Sequence, residues 1–313
     1  MFALLLCAAP CAMAQPETPP YARIADAILG AWQHADVVCL GEDHGRKHDS
    51  ELRIALVRHP KFPQTVKLIV VEFANPTYQD VLDRFILDGA AMARDELAVV
   101  WREASGAETW ESPIYEEFLR AVRDVNLHLP RAARIRVLAG DSPVDWRTIT
   151  RAEQLAPLMN RGGNIRKIIA EQVLEKKIKA LAVYGSGHCE KTGMGFPGEL
   201  ESRYPGRFWS VSNFYSPEGA REGRRVLGFD DRAQLIQITG TPKAALQSGR
   251  TFFLGMDERR TIGEIVDAIV YYGDVQDIVV RADTTELRKK YALEFERRNK
   301  LMREAFDIWR QKH

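Results

Sequence analysis

Four apolar runs of this 313-residue chain each lead into ionisable residues, and this pattern constrains the fold more than any other feature. Apolar runs rich in β-branched residues predict buried strands. When buried strands run parallel, their carboxyl ends meet at one edge of a sheet. We therefore expect residues far apart in the sequence to share one crevice. The residues that follow the four runs are Glu42-Asp43-His44, Glu72, Asp141 and His188.

Amphipathic helical patterns alternate with these runs, which predicts an α/β fold with a mostly parallel central sheet flanked by helices. The strands are expected over 37–42, 67–73, 134–141 and 180–185, and further strands over 208–211, 235–238 and 278–280. Helices are expected over 21–33, 49–59, 148–159 and 164–179.

The region after the second strand breaks the alternation. From about 75 to 130 no strand pattern occurs. Apolar faces predict helices over 77–87 and 114–125, with a loop-like stretch between them. This region is interpreted as a helical insertion that covers the strand ends. A motif similar to a capping box at Asp283-Thr284-Thr285-Glu286 predicts a long C-terminal helix over about 285–310. Residues 15–313 are expected to form a single α/β domain.

Composition excludes some partners and suggests export. The formal net charge of +1 and the absence of a basic stripe argue against nucleic-acid binding. No stretch has the roughly 18 consecutive apolar residues that a membrane span needs. Residues 1–14 are uncharged and apolar and end in Ala12-Met13-Ala14, a pattern typical of a secretory signal peptide. The chain is thus expected to be periplasmic or secreted; a disordered N-terminus is the alternative.

Two cysteines, Cys39 and Cys189, lie outside the expected signal peptide and close to histidines of the predicted crevice. They are too few for a disulfide framework. They could form a single bridge, take part in a metal site, or simply be small buried residues on strands. The last interpretation is favoured, and pairing is left open.

The residues at the strand ends suit two kinds of chemistry. Two imidazoles and two or three carboxylates could hold a divalent transition metal such as Mn, Co or Zn. The same groups could act without a metal as an acid–base set. The predicted metal ligands are His44, Glu72, His188 and Asp141, and the predicted catalytic residues are Glu42, His44, Glu72 and His188. A purely structural ion network is the remaining alternative.

Three motifs together resemble one superfamily. They are Leu40-Gly41-Glu42-Asp43-His44, the strand ending at Glu72, and Gly185-Ser186-Gly187-His188. They are similar to the superfamily of ChaN-like haem-uptake proteins, erythromycin esterases and Tiki/TraB metalloproteases. The segment Gln79 to Phe85 and the helix near Tyr115 resemble the ChaN-like helical insertion. Esterases place two residues between the Glu and His of the first motif, whereas this chain places one, so the ChaN-like branch is the better match.

The resemblance implies two functions. The first is hydrolysis of an ester or amide bond in a small-molecule or peptide substrate by Glu42, His44, Glu72 and His188, with or without a divalent metal. The alternative is haem binding of the ChaN-like type without hydrolysis. That alternative needs an exposed apolar platform and an axial His or Tyr, which the aromatic region from Tyr78 to Tyr115 is expected to supply.

Overall fold

The computed structural model describes residues 21–105, 108–193, 195–214, 216–248 and 260–311. The expected signal peptide at 1–14 lies outside these ranges and stays a prediction. Within them the chain forms seven strands. The strands are β1 Val37–Glu42, β2 Leu68–Val71, β3 Arg136–Ala139, β4 Ala180–Gly185, β5 Phe208–Asn213, β6 Gln234–Gln237 and β7 Ala268–Tyr271.

All seven strands lie in one sheet in the order β3-β2-β4-β1-β5-β7-β6. Only β6 runs antiparallel, beside β7 at the edge. The predicted fold class, a mostly parallel α/β sheet flanked by helices, is confirmed. From β1 the chain builds β2, β3 and β4 on one side and then β5, β6 and β7 on the other. The region around β1 is therefore the switch point at which open α/β sheets bind ligands.

Helices cover both faces of the sheet. The α-helices are α1 Ala22–Leu29, α2 Lys47–Arg58, α3 Phe62–Thr65, α4 Gln79–Ile86, α5 Arg94–Arg102, α6 Pro113–Leu127, α7 Ala152–Leu155, α8 Arg161–Ile169, α9 Ser186–Cys189, α10 Phe196–Glu201, α11 Pro217–Leu227, α12 Ile262–Ile265, α13 Thr285–Lys290 and α14 Ala292–Arg310. A π-helical turn, Ala170–Leu174, extends α8. In the ranges given above, no helix combines the length and apolar character that crossing a membrane requires.

Alternate side chains of the central strands pack into two separate hydrophobic cores, one on each face of the sheet. Val38 and Leu40 of β1 point to a core shared with α1, α2, α4, α5 and α6. Val37 and Cys39 point to the other face, where α8 and α10 pack. Because both faces are covered, β1, β2 and β4 are buried along their whole lengths, and polar side chains are confined to their ends.

Some elements differ from the sequence-based expectation. The stretch between the two predicted insertion helices contains α5, whose Leu97 and Trp101 are buried. The strand predicted over 278–280 was wrong, because this apolar triplet lies outside the sheet and forms only an isolated bridge between Val279 and Arg46. The seventh strand of the sheet is β7. It was not predicted, because its apolar run is short and directly follows the polar Asp267. The predicted final helix is divided into α13 and α14 at Tyr291.

Candidate active site

The strand register brings the predicted residues to one edge of the sheet. Glu42, the last residue of β1, lies opposite Gly185, the last residue of β4. Val71 of β2 pairs with Val183 of β4, so Glu72 follows at the same level. The short helix α9 begins directly after Gly185 and places His188 beside Glu72. Glu42, His44, Glu72 and His188 are thus brought together, as predicted from the four runs.

Glu42 and His44 form a hydrogen-bonded pair. His44 Nδ1 lies 3.1 Å from Glu42 Oε1. A carboxylate can only accept, so Nδ1 carries the proton and Nε2 is the basic nitrogen. Burial lowers the pKa of His44, but the hydrogen bond to Glu42 and the charges of Glu42 and Glu72 outweigh it, so that the pKa is raised above its ordinary value. About 38% of the His44 side chain is exposed, whereas Glu42 is buried.

Two residues that sequence reasoning missed hold Glu42 in place. The Tyr115 hydroxyl on α6 donates to Glu42 Oε1 at 2.9 Å, and it accepts a hydrogen bond from the Gly45 N–H. The buried Arg53 guanidinium on α2 pairs with Glu42 Oε2 and packs on the Tyr115 ring. Burial raises the pKa of Glu42, but Arg53 and the hydrogen bonds from His44 and Tyr115 lower it to about 2. Glu42 is therefore a permanent anion at neutral pH.

The position of Arg53 in the sequence indicated that this residue is buried with a partner. It lies on the face of α2 that buries Leu52, Leu56 and Val57, and a charged residue on an apolar face is rarely buried without a partner. Tyr115 gave no such signal, because a tyrosine on the apolar face of an amphipathic helix is an ordinary core residue.

A second cluster faces the first. His188 Nε2 lies 3.6 Å from Glu72 Oε1, and the Gly185 N–H donates to Glu72 Oε2 at 2.6 Å. Arg161, at the start of α8, donates to Glu72 Oε1 at 2.7 Å and to Asp141 Oδ1 at 3.1 Å. The buried Asp141 also accepts hydrogen bonds from the backbone N–H and the hydroxyl of Ser105. Arg161 reaches the site from α8, which lies between β3 and β4 in the sequence, and nothing in the sequence pattern indicated it.

Gly185 sets the distance between the two clusters. A Cβ atom on this residue would lie 2.9 Å from His44 Cε1 and 3.4 Å from Glu72 Oε2. The imidazole of His44 and the carboxylate of Glu72 therefore both rest against the bare backbone of Gly185. Trp110 packs edge-on against the His44 ring at 4.6 Å between centroids and supports it from the side of the helices after β2.

The predicted metal set of His44, Glu72, His188 and Asp141 is not supported. Among the residues described, no three His, Cys, Asp or Glu side chains are grouped so as to hold a metal ion. The physical reason is that the Arg161 guanidinium already forms ion pairs with both Glu72 and Asp141. A divalent cation would have to displace or repel this arginine, so the donor set does not fit a metal.

Cys39 and Cys189 form a disulfide, which decides the pairing that the sequence left open. The bond joins the middle of β1 to α9, with Cα atoms 5.3 Å apart. The favoured interpretation of two unpaired buried cysteines was therefore wrong, although both residues are buried. Cys189 directly follows His188, so the bond anchors the helix that carries this imidazole.

The fold and site together define an α/β protein with facing Glu–His clusters at the carboxyl ends of parallel strands. Residues 28–162 match the family described as "Haem-binding uptake, Tiki superfamily, ChaN". The predicted resemblance to the ChaN-like and Tiki superfamily is confirmed. No curated protein sequence matches the chain.

Solved structures show the same fold. An erythromycin esterase EreC variant in its open conformation is 12% identical, with 82% of this chain and 95% of that chain covered and a TM-score of 0.55. A protein from Bacillus cereus is 14% identical, with 77% and 89% covered and a TM-score of 0.52. ChaN of Campylobacter jejuni with cofacial haem is 16% identical, with 61% of this chain and 86% of that chain covered and a TM-score of 0.40.

Proposed function

We propose that this protein hydrolyses an ester or amide bond in a small-molecule or peptide substrate, with His44 as the general base. The observation that carries the proposal is the Glu42–His44 pair. Glu42 fixes the proton on Nδ1 and leaves the basic Nε2 available. The raised pKa of His44 favours proton uptake, and the partial exposure of its ring gives water and substrate access.

The proposed reaction conserves all atoms and protons. His44 Nε2 removes a proton from a water molecule while the water oxygen bonds to the carbonyl carbon. The carbonyl π electrons move onto its oxygen. When this tetrahedral species collapses, the bond to the leaving oxygen or nitrogen breaks, and the His44 imidazolium gives that atom its proton. No step needs a metal.

The second cluster is assigned the role of stabilising the oxyanion, the negatively charged oxygen of the tetrahedral species. Arg161 carries five N–H donors, and the structure uses two of them on Glu72 and Asp141. His188 Nε2 lies 3.6 Å from the same Glu72 oxygen, Oε1, to which Arg161 donates. Donors that are held in place before the reaction stabilise developing negative charge without reorganisation. Glu72 is accordingly a positioning residue that holds Arg161 and His188 in place.

The proposal is tested with nitrophenyl esters and short peptides on His44→Asn and His188→Ala. Loss of a general base lowers kcat/KM by about 10²- to 10⁴-fold. His128→Asn is the matched control, because the exposed His128 ring bonds to the Asp124 carbonyl and to no other side chain or carbonyl in the described ranges. Circular dichroism confirms that each variant is folded. Undiminished hydrolysis by folded His44→Asn would contradict the proposal.

Haem binding is the second candidate, and the family match over 28–162 favours it. The aromatic platform expected between Tyr78 and Tyr115 does not fit, because Trp101, Trp110 and Tyr115 are buried in the core. His44 is more exposed than His188, so its imidazole would hold the haem iron. A Soret band on adding haemin that His44→Asn abolishes, together with no turnover of any ester or peptide, would select this function over hydrolysis.

Export to the periplasm or the medium belongs to the same proposal. The Cys39–Cys189 disulfide supports it, because disulfides persist in oxidising compartments and are rare in reducing ones. Fractionation of cells that express the full chain tests it: recovery of the protein in the cytoplasmic fraction would refute export.

A further inference from the structure

A cavity of about 410 Å³ lies on the other side of β1 from the candidate active site. The loop after β1 contributes Arg46, the start of α2 contributes His48, and the end of β5 contributes Asn213 and Phe214. The residues after β7 form the opposite wall. The first turns of α11 complete the cavity with Ala220 and Arg221. It therefore opens at the carboxyl edge of the sheet, but next to β5 and β7 instead of β2 and β4.

The charges that line the cavity balance, and Arg221 is the one that has no partner among the described residues. Arg46 pairs with Asp43 at 2.7 Å and with Asp277 at 3.0 Å, and Asp274 pairs with Arg224 at 2.7 Å. His48 is bonded through both ring nitrogens, to Tyr21 and to the Gln276 carbonyl. Arg221 has no ion pair or hydrogen bond with any of the described residues. Its charge adds to the positive end of the α11 dipole.

The inner part of the cavity has an unused acceptor. Asn213 is 97% buried, and its Nδ2 donates to Asp49 Oδ1 at 2.7 Å. Its Oδ1 is also buried but accepts no hydrogen bond within the described parts of the chain. A buried acceptor without a partner is costly, so a ligand with an N–H or O–H donor would be stabilised there. Phe214, Val270 and Ala220 provide apolar wall between this acceptor and Arg221.

We infer that this cavity binds an organic anion with an apolar, ring-sized body and one hydrogen-bond donor. Arg221 takes the anionic group at the mouth, the apolar wall takes the body, and Asn213 Oδ1 accepts from the donor. The volume suits a small molecule. This site is separate from the Glu–His clusters, so it does not depend on the proposed hydrolysis.

The test uses 8-anilinonaphthalene-1-sulfonate, which has a ring body, an N–H donor and a sulfonate, and N-phenyl-1-naphthylamine, which lacks the sulfonate. Fluorescence titrations of the full chain should show one sulfonate site. Arg221→Gln should lower the affinity for the sulfonate probe about threefold to fivefold and leave the affinity for the neutral probe unchanged. Arg225→Gln is the control, because Arg225 lies on the same helix, is exposed and pairs with Glu222 outside the cavity.

Two further comparisons locate the probe. Ala220→Phe should fill the cavity and prevent binding of both probes. 4-Hydroxybenzoate should displace the sulfonate probe about threefold better than 4-methylbenzoate, which has the same size but no donor. The inference would be overturned if Arg221→Gln and Arg225→Gln weakened binding of the sulfonate probe equally. It would also be overturned if folded Ala220→Phe still bound the sulfonate probe.

Discussion

The chemistry proposed for this protein depends on how single residues hold one imidazole. Glu42 is ionised because Arg53 and Tyr115 stabilise its charge against burial. That fixed anion orients His44 and raises its pKa. A buried residue with a strongly perturbed pKa and a defined charge partner at a strand end is the usual mark of a functional site.

Glu42→Gln should move the pH profile of hydrolysis to lower pH. In the wild type kcat/KM rises with pH as His44 loses its proton, with a midpoint above 6.5 because the folded pKa is raised. Without the Glu42 charge the imidazolium is less stable, so the midpoint falls and the maximal rate drops. The measurement is kcat/KM over about pH 5 to pH 9.

Because Glu42→Gln leaves Arg53 buried without its counter-ion, a second variant is needed. Glu42→Gln combined with Arg53→Met removes both charges and should show the same lowered midpoint. A midpoint that is unchanged in both folded variants would mean that Glu42 does not control the titration of His44.

Gly185→Ala should reduce turnover without unfolding the protein. The new Cβ would lie 2.9 Å from His44 Cε1, so the ring must move away from its position beside Glu72. We expect kcat/KM to fall by at least about tenfold, since a displacement of about 1 Å can cost up to about 100-fold. Gly30→Ala is the control, because a Cβ there meets no atom within 4 Å and Gly30 has a helical backbone with φ −62°. Equal activity in the two variants would contradict the assigned packing.

At the scale of elements, strands and their ends were predictable and the residues that reach them from helices were not. The strands β1, β2 and β4 are apolar up to their ends, and β3 is apolar after Arg136, so burial on both faces was visible in the sequence. The parallel order then placed Glu42, Glu72 and His188 at one edge. Arg161 could not be foreseen, because its position depends on where the chain between β3 and α8 returns to the sheet.

Arg161→Gln should destabilise the protein, because Arg161 of α8 forms ion pairs with the carboxylates of Glu72 and Asp141, which follow β2 and β3. Removing one partner of a buried ionic group leaves uncompensated charge. The Arg161 side chain is about one-third exposed. The free energy of unfolding should therefore fall by about 2–3 kcal/mol, which is no more than the lower end of the range of about 3–5 kcal/mol for fully buried pairs. Urea unfolding measures it, with Arg147→Gln as the control.

Arg147 is exposed and pairs with Asp145, so its removal should change stability by less than about 0.5 kcal/mol. If both arginine variants unfold at the same urea concentration as the wild type, Arg161 does not join α8 to the strand ends energetically.

At the scale of the whole molecule, the fold class follows from alternating patterns, whereas the substrate does not. Shared folds carry many activities, and function depends on the site. The surroundings of His44 are built by Trp110 and Tyr115 from the segment between β2 and β3. A sequence pattern shows that such helices exist, but not which side chains they bring over the strand ends. The relatives of this fold accordingly include both an esterase and a haem-binding protein.

The disulfide should connect global stability with activity. It joins residues 150 positions apart, and closing so long a loop restricts the unfolded chain strongly. The double variant Cys39→Ala with Cys189→Ala should lose about 2–5 kcal/mol of unfolding free energy in urea.

The activity of the same variant should fall as well, because α9 then loses its covalent anchor and His188 its fixed position beside Glu72. Reductant should destabilise the wild type once it has access to the buried bond, and it should not affect the double variant, which controls for unrelated effects of the reagent. If the variant matched the wild type in both unfolding free energy and turnover, the bond would be an incidental link between β1 and α9, and the position of His188 would depend on its packing against Tyr184 and Glu72 instead.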